Sequence, residues 1–335
     1  MRRGLVAITC ALAVLAAAPS ALAASWAQPQ IKVAVTHGLM GPSVASFRPR
    51  ANVTRAELGA AIAAFTGKPQ VVVDPGREVS MARLDATLVK ALGLRPAART
   101  FQRKVAAAGL QPPARLGNEV VARLVWLRIN HPMEADALEL RPQDPATRAE
   151  TAYSLAQALG VSQWEKGNVV ALADSFSPPA YGDWPKRVLQ RAVHFIGYPY
   201  VWGGMWEHQQ TLFGVTDRGG FDCSGLVWRV YKLQPYAGGG SLSSVLQGRT
   251  TYQMSGEVPK TKRIPFGHLR PADVLFFGAD GPRSSPSEVD HTGIALGNGW
   301  MIHSSSQGVA FVPLTGWYHD RFAWARRPLR EAGLL

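Results

Sequence analysis

The sequence predicts an α+β protein, with a mainly helical amino-terminal half and a carboxy-terminal half that adds strands and a hairpin. Three observations carry this prediction. Between residues 53 and 160 a capped amphipathic helix pattern occurs three times; a proline-bearing break follows at 174–183; beyond it, helical periodicity gives way to short apolar runs around Gly297-Asn298-Gly299. The chain of 335 residues fits about two domains, and 47% hydrophobic against 18% charged residues is the composition of a folded protein.

The elements follow in chain order. Arg2 and Arg3 precede an apolar stretch from Leu5 to Ala18 that ends in Ala21-Leu22-Ala23. This reads as a secretory leader over 1–23, too short and too interrupted by Thr9 and Pro19 for a membrane span of about 20 residues. Export is therefore expected, with no stable membrane insertion. The formal charge of +13 falls to +11 when the two leader arginines go. In an exported protein, that excess points to an anionic wall polymer and away from nucleic acid. The leader also carries Cys10, so Cys223 is left as a lone exported thiol. Such a thiol is buried, intermolecularly paired or a nucleophile.

The helix pattern runs from Val53 to Gly67, Val79 to Gly93 and Ala146 to Gly160. Thr54, Ser80 and Thr147 fit N-caps, Glu57 and Glu150 complete capping boxes, and the three glycines fit left-handed C-terminal stops. The copies start 26 and then 67 residues apart, so the middle unit is shortened or diverged. The first unit, with Trp26-Ala27-Gln28-Pro29, Phe47-Arg48-Pro49 and Thr54-Arg55-Ala56-Glu57, resembles the S-layer homology module. The third unit retains Arg141-Pro142 and Thr147-Arg148-Ala149-Glu150; in the second, Met81 and Arg83 depart from the motif. The resemblance implies a wall anchor over 24–163, with Arg55 and Arg148 as polymer contacts; a helical array that only scaffolds is the alternative. Residues 164–183 are read as a linker containing Pro178-Pro179, and 184–328 as the second domain.

Residues 184–196 predict a helix. After Tyr200-Val201-Trp202-Gly203-Gly204 the chain reaches Phe221-Asp222-Cys223-Ser224-Gly225, where Cys223 opens a helix with Leu226, Val227 and Val230 on its buried face. A thiol in a first helical turn faces free amides and the positive end of the helix dipole, which favours thiolate. A nucleophilic thiol needs a base. Asp273–Phe277 reads as a buried strand, and Thr292–Leu296 with Trp300–His303 as a hairpin carrying His291 and His303. A two-residue Asn298-Gly299 turn pairs His303 with Ile294 and puts the two histidines on opposite faces. A three-residue Gly297-Asn298-Gly299 loop pairs His303 with Gly293 and makes them diagonal neighbours on one face, roughly 7–8 Å apart by Cα. The three-residue loop is the expectation adopted, because it gives His303 a role orienting His291. Cys223, His291 and His303 lack the compact spacing of structural zinc.

PYVWGG, FDCSGLVW, PADVLFF, DHTGIALGNG and MIHSSS are similar, in order and type, to the NlpC-type family of papain-like cell-wall cysteine endopeptidases, over roughly 185–327. The resemblance implies a papain-like domain whose helix-borne cysteine packs on a small antiparallel sheet. It implies Cys223 as nucleophile, His291 as general base and acid, and His303 as the third polar residue. Tyr200 is implied to help bind the oxyanion, Asp222 and Ser224 to bind the free amine or the polar backbone of the stem peptide, and Trp202 to contact substrate. The implied reaction is hydrolysis of a stem-peptide amide after γ-linked D-glutamate, before diaminopimelate or lysine, through a thioester and without a cofactor. An inactive wall-binding protein and an amidase or acyltransferase using the same site are the alternatives. The stretch Met205–Arg218 departs from the family pattern and is expected to rim the cleft.

Overall fold

The computed structural model describes residues 25–132 and 139–335; the leader expected over 1–23, with Cys10, lies outside them. Among the described residues, seven helices form the first half: α1 (Gln28–Thr36), α2 (Arg55–Thr66), α3 (Met81–Ala91), α4 (Arg95–Ala107), α5 (Leu116–Leu124), α6 (Arg148–Gly160) and α7 (Gln163–Ser175). Thr54, Ser80 and Thr147 are the N-caps of α2, α3 and α6, each accepting from the amide three residues on.

The three repeats close into a ring at these caps. The amide of Val53 donates to Ala146 O at 2.9 Å, Val79 to Val53 O at 2.9 Å, and Ala146 to Val79 O at 2.7 Å. Each unit thus gives one amide and accepts one, and the three side chains fill the centre, all but excluded from solvent. The uneven sequence spacing arises because α4 and α5 lie between the second and third caps. Gly67 and Gly93 are left-handed as expected, with φ of 68° and 79°. Gly160 instead closes α6, and the chain leaves through an extended Val161. Glu150 forms no capping box, because its carboxylate is engaged by the ring of His131.

The carboxy-terminal half comprises α8 (Asp183–His194), β1 (Met205–Trp206), β2 (Gln210–Leu212), β3 (Val215–Asp217), β4 (Gly220–Phe221), α9 (Cys223–Tyr231), α10 (Leu242–Val245), α11 (Thr251–Gly256), β5 (Val274–Gly278), β6 (Val289–Gly297), β7 (Trp300–Ser305), β8 (Gly308–Pro313), α12 (Trp317–Arg321), β9 (Phe322–Arg326) and α13 (Pro328–Glu331). The main sheet is antiparallel with strand order β8-β7-β6-β5-β9. Leu226, Val227 and Val230 of α9 are fully buried in the same core as Ile294 and Ile302 of β6 and β7.

Residues 164–183, expected as a spacer, are for the most part helix, and the two halves share one apolar core. Phe176, fully buried just after α7, stacks on Phe311 with centroids 5.5 Å apart and meets Trp300 edge-on at 4.9 Å. Its other neighbour is Phe101 of α4, at 5.3 Å. One side chain therefore joins the helical repeats to the sheet. No helix among the described residues is long and apolar enough to cross a membrane.

Candidate active site

Cys223 is the first residue of α9. Asp222 caps that helix, its Oδ1 accepting from the Gly225 amide at 2.5 Å and its Oδ2 from the Gly203 amide at 3.0 Å. The helix start is pressed against the Gly203-Gly204 turn. A Cβ on Gly225 would stand 1.8 Å from Gly204 O, so only glycine fits there. Arg249 reaches into the same corner, with its guanidinium 2.7 Å from Ser224 Oγ, 3.2 Å from both Asp222 oxygens and 3.0 Å from Gly203 O. Sequence reasoning missed Arg249, which carries no pattern beyond standing ahead of the Thr250 cap.

The hairpin of β6 and β7 brings the histidines together. Ile294 pairs with Ile302 and Ala295 with Met301, the register that the three-residue loop predicts, but the turn achieves it differently. Asn298 and Gly299 form a left-handed pair at φ 49° and 76° between paired Gly297 and Trp300, and a bulge between Ala295 and Gly297 supplies the one-residue shift. His291 Nε2 and His303 Nδ1 stand 2.8 Å apart, with their rings at 90°. Beside His303, Ser304 Oγ donates to Phe221 O at 2.6 Å, tying the histidine strand to the segment that leads into Cys223. The backbones of Thr292, next to His291, and Ser224 lie near the sulfur and favour its charged form.

Electrostatics set the resting protonation. Burial pushes the Cys223 thiol up to about 12, and the Asp222 charge adds to this; the Thr292 and Ser224 backbones and Arg249 act the other way and are outweighed. The thiolate expected from the helix start is thus overturned by burial. Burial also pulls His291 down to about 4 and His303 well below its ordinary value, with His291 a further cause for His303. The resting site is accordingly a neutral thiol beside two neutral imidazoles.

Tyr318, also missed from sequence, places its hydroxyl 3.4 Å from His303 Nε2. Burial raises the Tyr200 hydroxyl pKa, and its neighbours Cys223 and Asp222 act in the same direction. Trp202 is 64% exposed beside the site. The two arginines of the repeats are engaged within the protein. Arg55 donates to Val73 O and Asp74. Arg148 is buried, donates to Phe47 O and Glu57, and lies over the Phe47 ring, so it is no surface cation. Among the described residues, His131, Glu139 and Glu150 form a group whose donor atoms lie within 4.8 Å of one another. It belongs to the helical half and includes none of the site residues.

The arrangement is a thiol at a helix start backed by a sheet-borne imidazole pair. Residues 197–327 match the model of the NlpC/P60 family, and residues 22–58 that of the S-layer homology domain, the first of the three repeats. The chain is 30% identical over 140 residues to the bifunctional muramidase/DL-endopeptidase CwlT of Bacillus subtilis (strain 168), covering 41% of this chain and 35% of that protein. It is 32% identical over 141 residues to the gamma-D-glutamyl-L-lysine dipeptidyl-peptidase of Bacillus cereus (strain ATCC 10987 / NRS 248), covering 40% and 34%. The chain therefore spans about a third of the length of these relatives. A solved NlpC/P60 family protein from Bacillus cereus ATCC 10987 is 26% identical, covering 44% of this chain and 41% of that one, with a TM-score of 0.33.

Proposed function

We propose that the protein is an exported, wall-associated peptidoglycan hydrolase that cleaves a stem-peptide amide through Cys223. The observation that carries this reading is the 2.8 Å contact between His291 Nε2 and His303 Nδ1, on neighbouring strands of the sheet that packs on the helix opened by Cys223. With Nε2 committed as donor to His303, Nδ1 of His291 is the nitrogen left to take the thiol proton. As it does so, sulfur attacks the amide carbonyl. The Cys223 amide and the Tyr200 hydroxyl receive the oxyanion. Collapse breaks the C–N bond, His291 returns its proton to the leaving amine, and water then releases the thioester by the reverse proton path. Because the resting pair is neutral, the proton moves only as attack proceeds.

The bond is the one after γ-linked D-glutamate, before diaminopimelate or lysine, and Asp222 and Ser224 are the residues assigned to the amino-terminal side of the stem peptide. The repeats of the first half hold the enzyme at anionic wall polymer, raising its effective concentration there. Domain limits of 24–163 and 184–328 go with this reading. Digestion of defined muropeptides, with mass spectrometry of the fragments, tests the bond. A new amino terminus on diaminopimelate or lysine is expected. Release of whole stem peptides from muramic acid would make the protein an amidase.

A further inference from the structure

The stretch between Gly204 and Gly219 contains the hairpin of β2 and β3. Gln210 pairs with Asp217, Thr211 with Thr216 and Leu212 with Val215, which leaves Phe213-Gly214 as a two-residue turn. Both turn residues are left-handed, with φ of 51° and 82°. Such a turn favours Asn or Gly at its first position, and a bulky residue held there is strained. Burial does not offset that strain, since Phe213 is 76% exposed.

The ring sits over the catalytic corner. Its Cε2 would stand 3.0 Å from a Cβ built on Gly203, whose amide hydrogen-bonds Asp222, the residue before Cys223. Trp202, 64% exposed, is the other neighbour of Gly203. Two exposed aromatic side chains thus flank one glycine, a single contact away from the cap of the nucleophile helix. Both rings are open to solvent within reach of that cap, where a ligand entering the site would meet them.

We infer that Phe213 and Trp202 form a saccharide subsite that receives the sugar carrying the stem peptide. The inference rests on the stem-peptide reading above. Under that reading Asp222 takes the amino-terminal side of the peptide, and a D-glutamyl bond is two residues from the muramic acid, roughly 7 Å of extended chain. The sugar therefore falls just beyond Asp222, where the aromatic pair stands. Flat aromatic faces suit the C–H faces of a pyranose ring, and large rigid rings lose little conformational entropy on contact.

The test compares two substrates with the full-length protein: the free stem tetrapeptide and the same peptide on its disaccharide. Phe213→Asn keeps a turn-compatible residue and removes the ring; Trp202→Ala removes the other. Each variant is expected to lower the ratio of kcat/KM for the disaccharide-peptide to that for the free peptide by about tenfold, equivalent to ~1.4 kcal/mol. An unchanged ratio in both variants overturns the subsite, and so does an equal fall on both substrates, which would assign the rings to peptide contact. Binding of the disaccharide alone, read by tryptophan fluorescence in the wild type and Phe213→Asn, separates this inference from the hydrolase reading. Ring-dependent binding without cleavage of either substrate would keep the subsite and remove the hydrolase reading; ring-independent binding, or none, would remove the subsite.

Discussion

His291 Nε2 faces His303 Nδ1 at 2.8 Å across neighbouring strands, and His303 is fully buried. One proton lies between them, so the tautomer of one ring dictates that of the other. With His291 as donor, His303 carries its hydrogen on Nε2, and the Tyr318 hydroxyl lies beside the ring, 3.5 Å from Nδ1 and 3.4 Å from Nε2.

His303→Ala removes the acceptor that fixes His291, and kcat on a muropeptide is expected to fall by about 10²-fold or more. His303→Asn, which restores a carbonyl acceptor, is expected to recover part of the loss. Equal activity of His303→Ala and wild type, with circular dichroism unchanged, would remove His303 from the mechanism.

The Cys223 thiol, pushed up to about 12, is expected to be protonated at neutral pH. Iodoacetamide alkylation of the free enzyme should be slower at pH 7 than that of free cysteine and should still be climbing beyond pH 9. An alkylation midpoint below about 7.5 would mean a resting thiolate and would overturn the neutral site.

His291, with an ordinary value of 6.5, is pulled down to about 4, and His303 lies well below the same value. Between pH 6.5 and 4 the unfolded chain binds protons at these two positions that the folded chain does not. Stability is therefore full above pH 6.5 and falls as pH drops through that window. Urea midpoints at pH 7 and pH 5 should show the decline, and His291→Asn should flatten it. A slope that is the same in the variant would place the acid sensitivity elsewhere.

Phe176 links α4 to the sheet, so Phe176→Ala is expected to cost about 3–5 kcal/mol and to lower the melting of both halves together. Calorimetry should give one transition in the wild type. Two resolved transitions, with only one shifted by the substitution, would contradict a shared core.

Local chemistry was the most legible part of the sequence. Thr54, Ser80 and Thr147 announce their helices because a hydroxyl cap needs only its own first turn; strand parity alone leaves the side shared by His291 and His303 open, and the bulge between Ala295 and Gly297 that decides it has no mark in the sequence. Helix α7 was also within reach: Ser162 and Glu165 form a capping box in which each accepts from the other's amide. The prolines after it favour a spacer on sequence alone. What the sequence hides depends on tertiary burial. The position of Cys223 at a helix start was readable, but the burial that raises its pKa comes from the packed sheet. Arg148 looks like a helix-face cation until ring closure turns it toward Phe47 and Glu57. Arg249 and Tyr318 are 26 and 95 residues beyond Cys223 and reach the site only through the fold.

The account rests most heavily on Cys223, and the most direct measurement is turnover of purified peptidoglycan sacculi by the wild type and by Cys223→Ala, with released fragments identified by mass spectrometry. The wild type is expected to release stem-peptide fragments and Cys223→Ala, folded to the same melting temperature, to release none. Equal release by the two proteins, or none by the wild type, would contradict the assignment of Cys223 as the nucleophile of a peptidoglycan hydrolase.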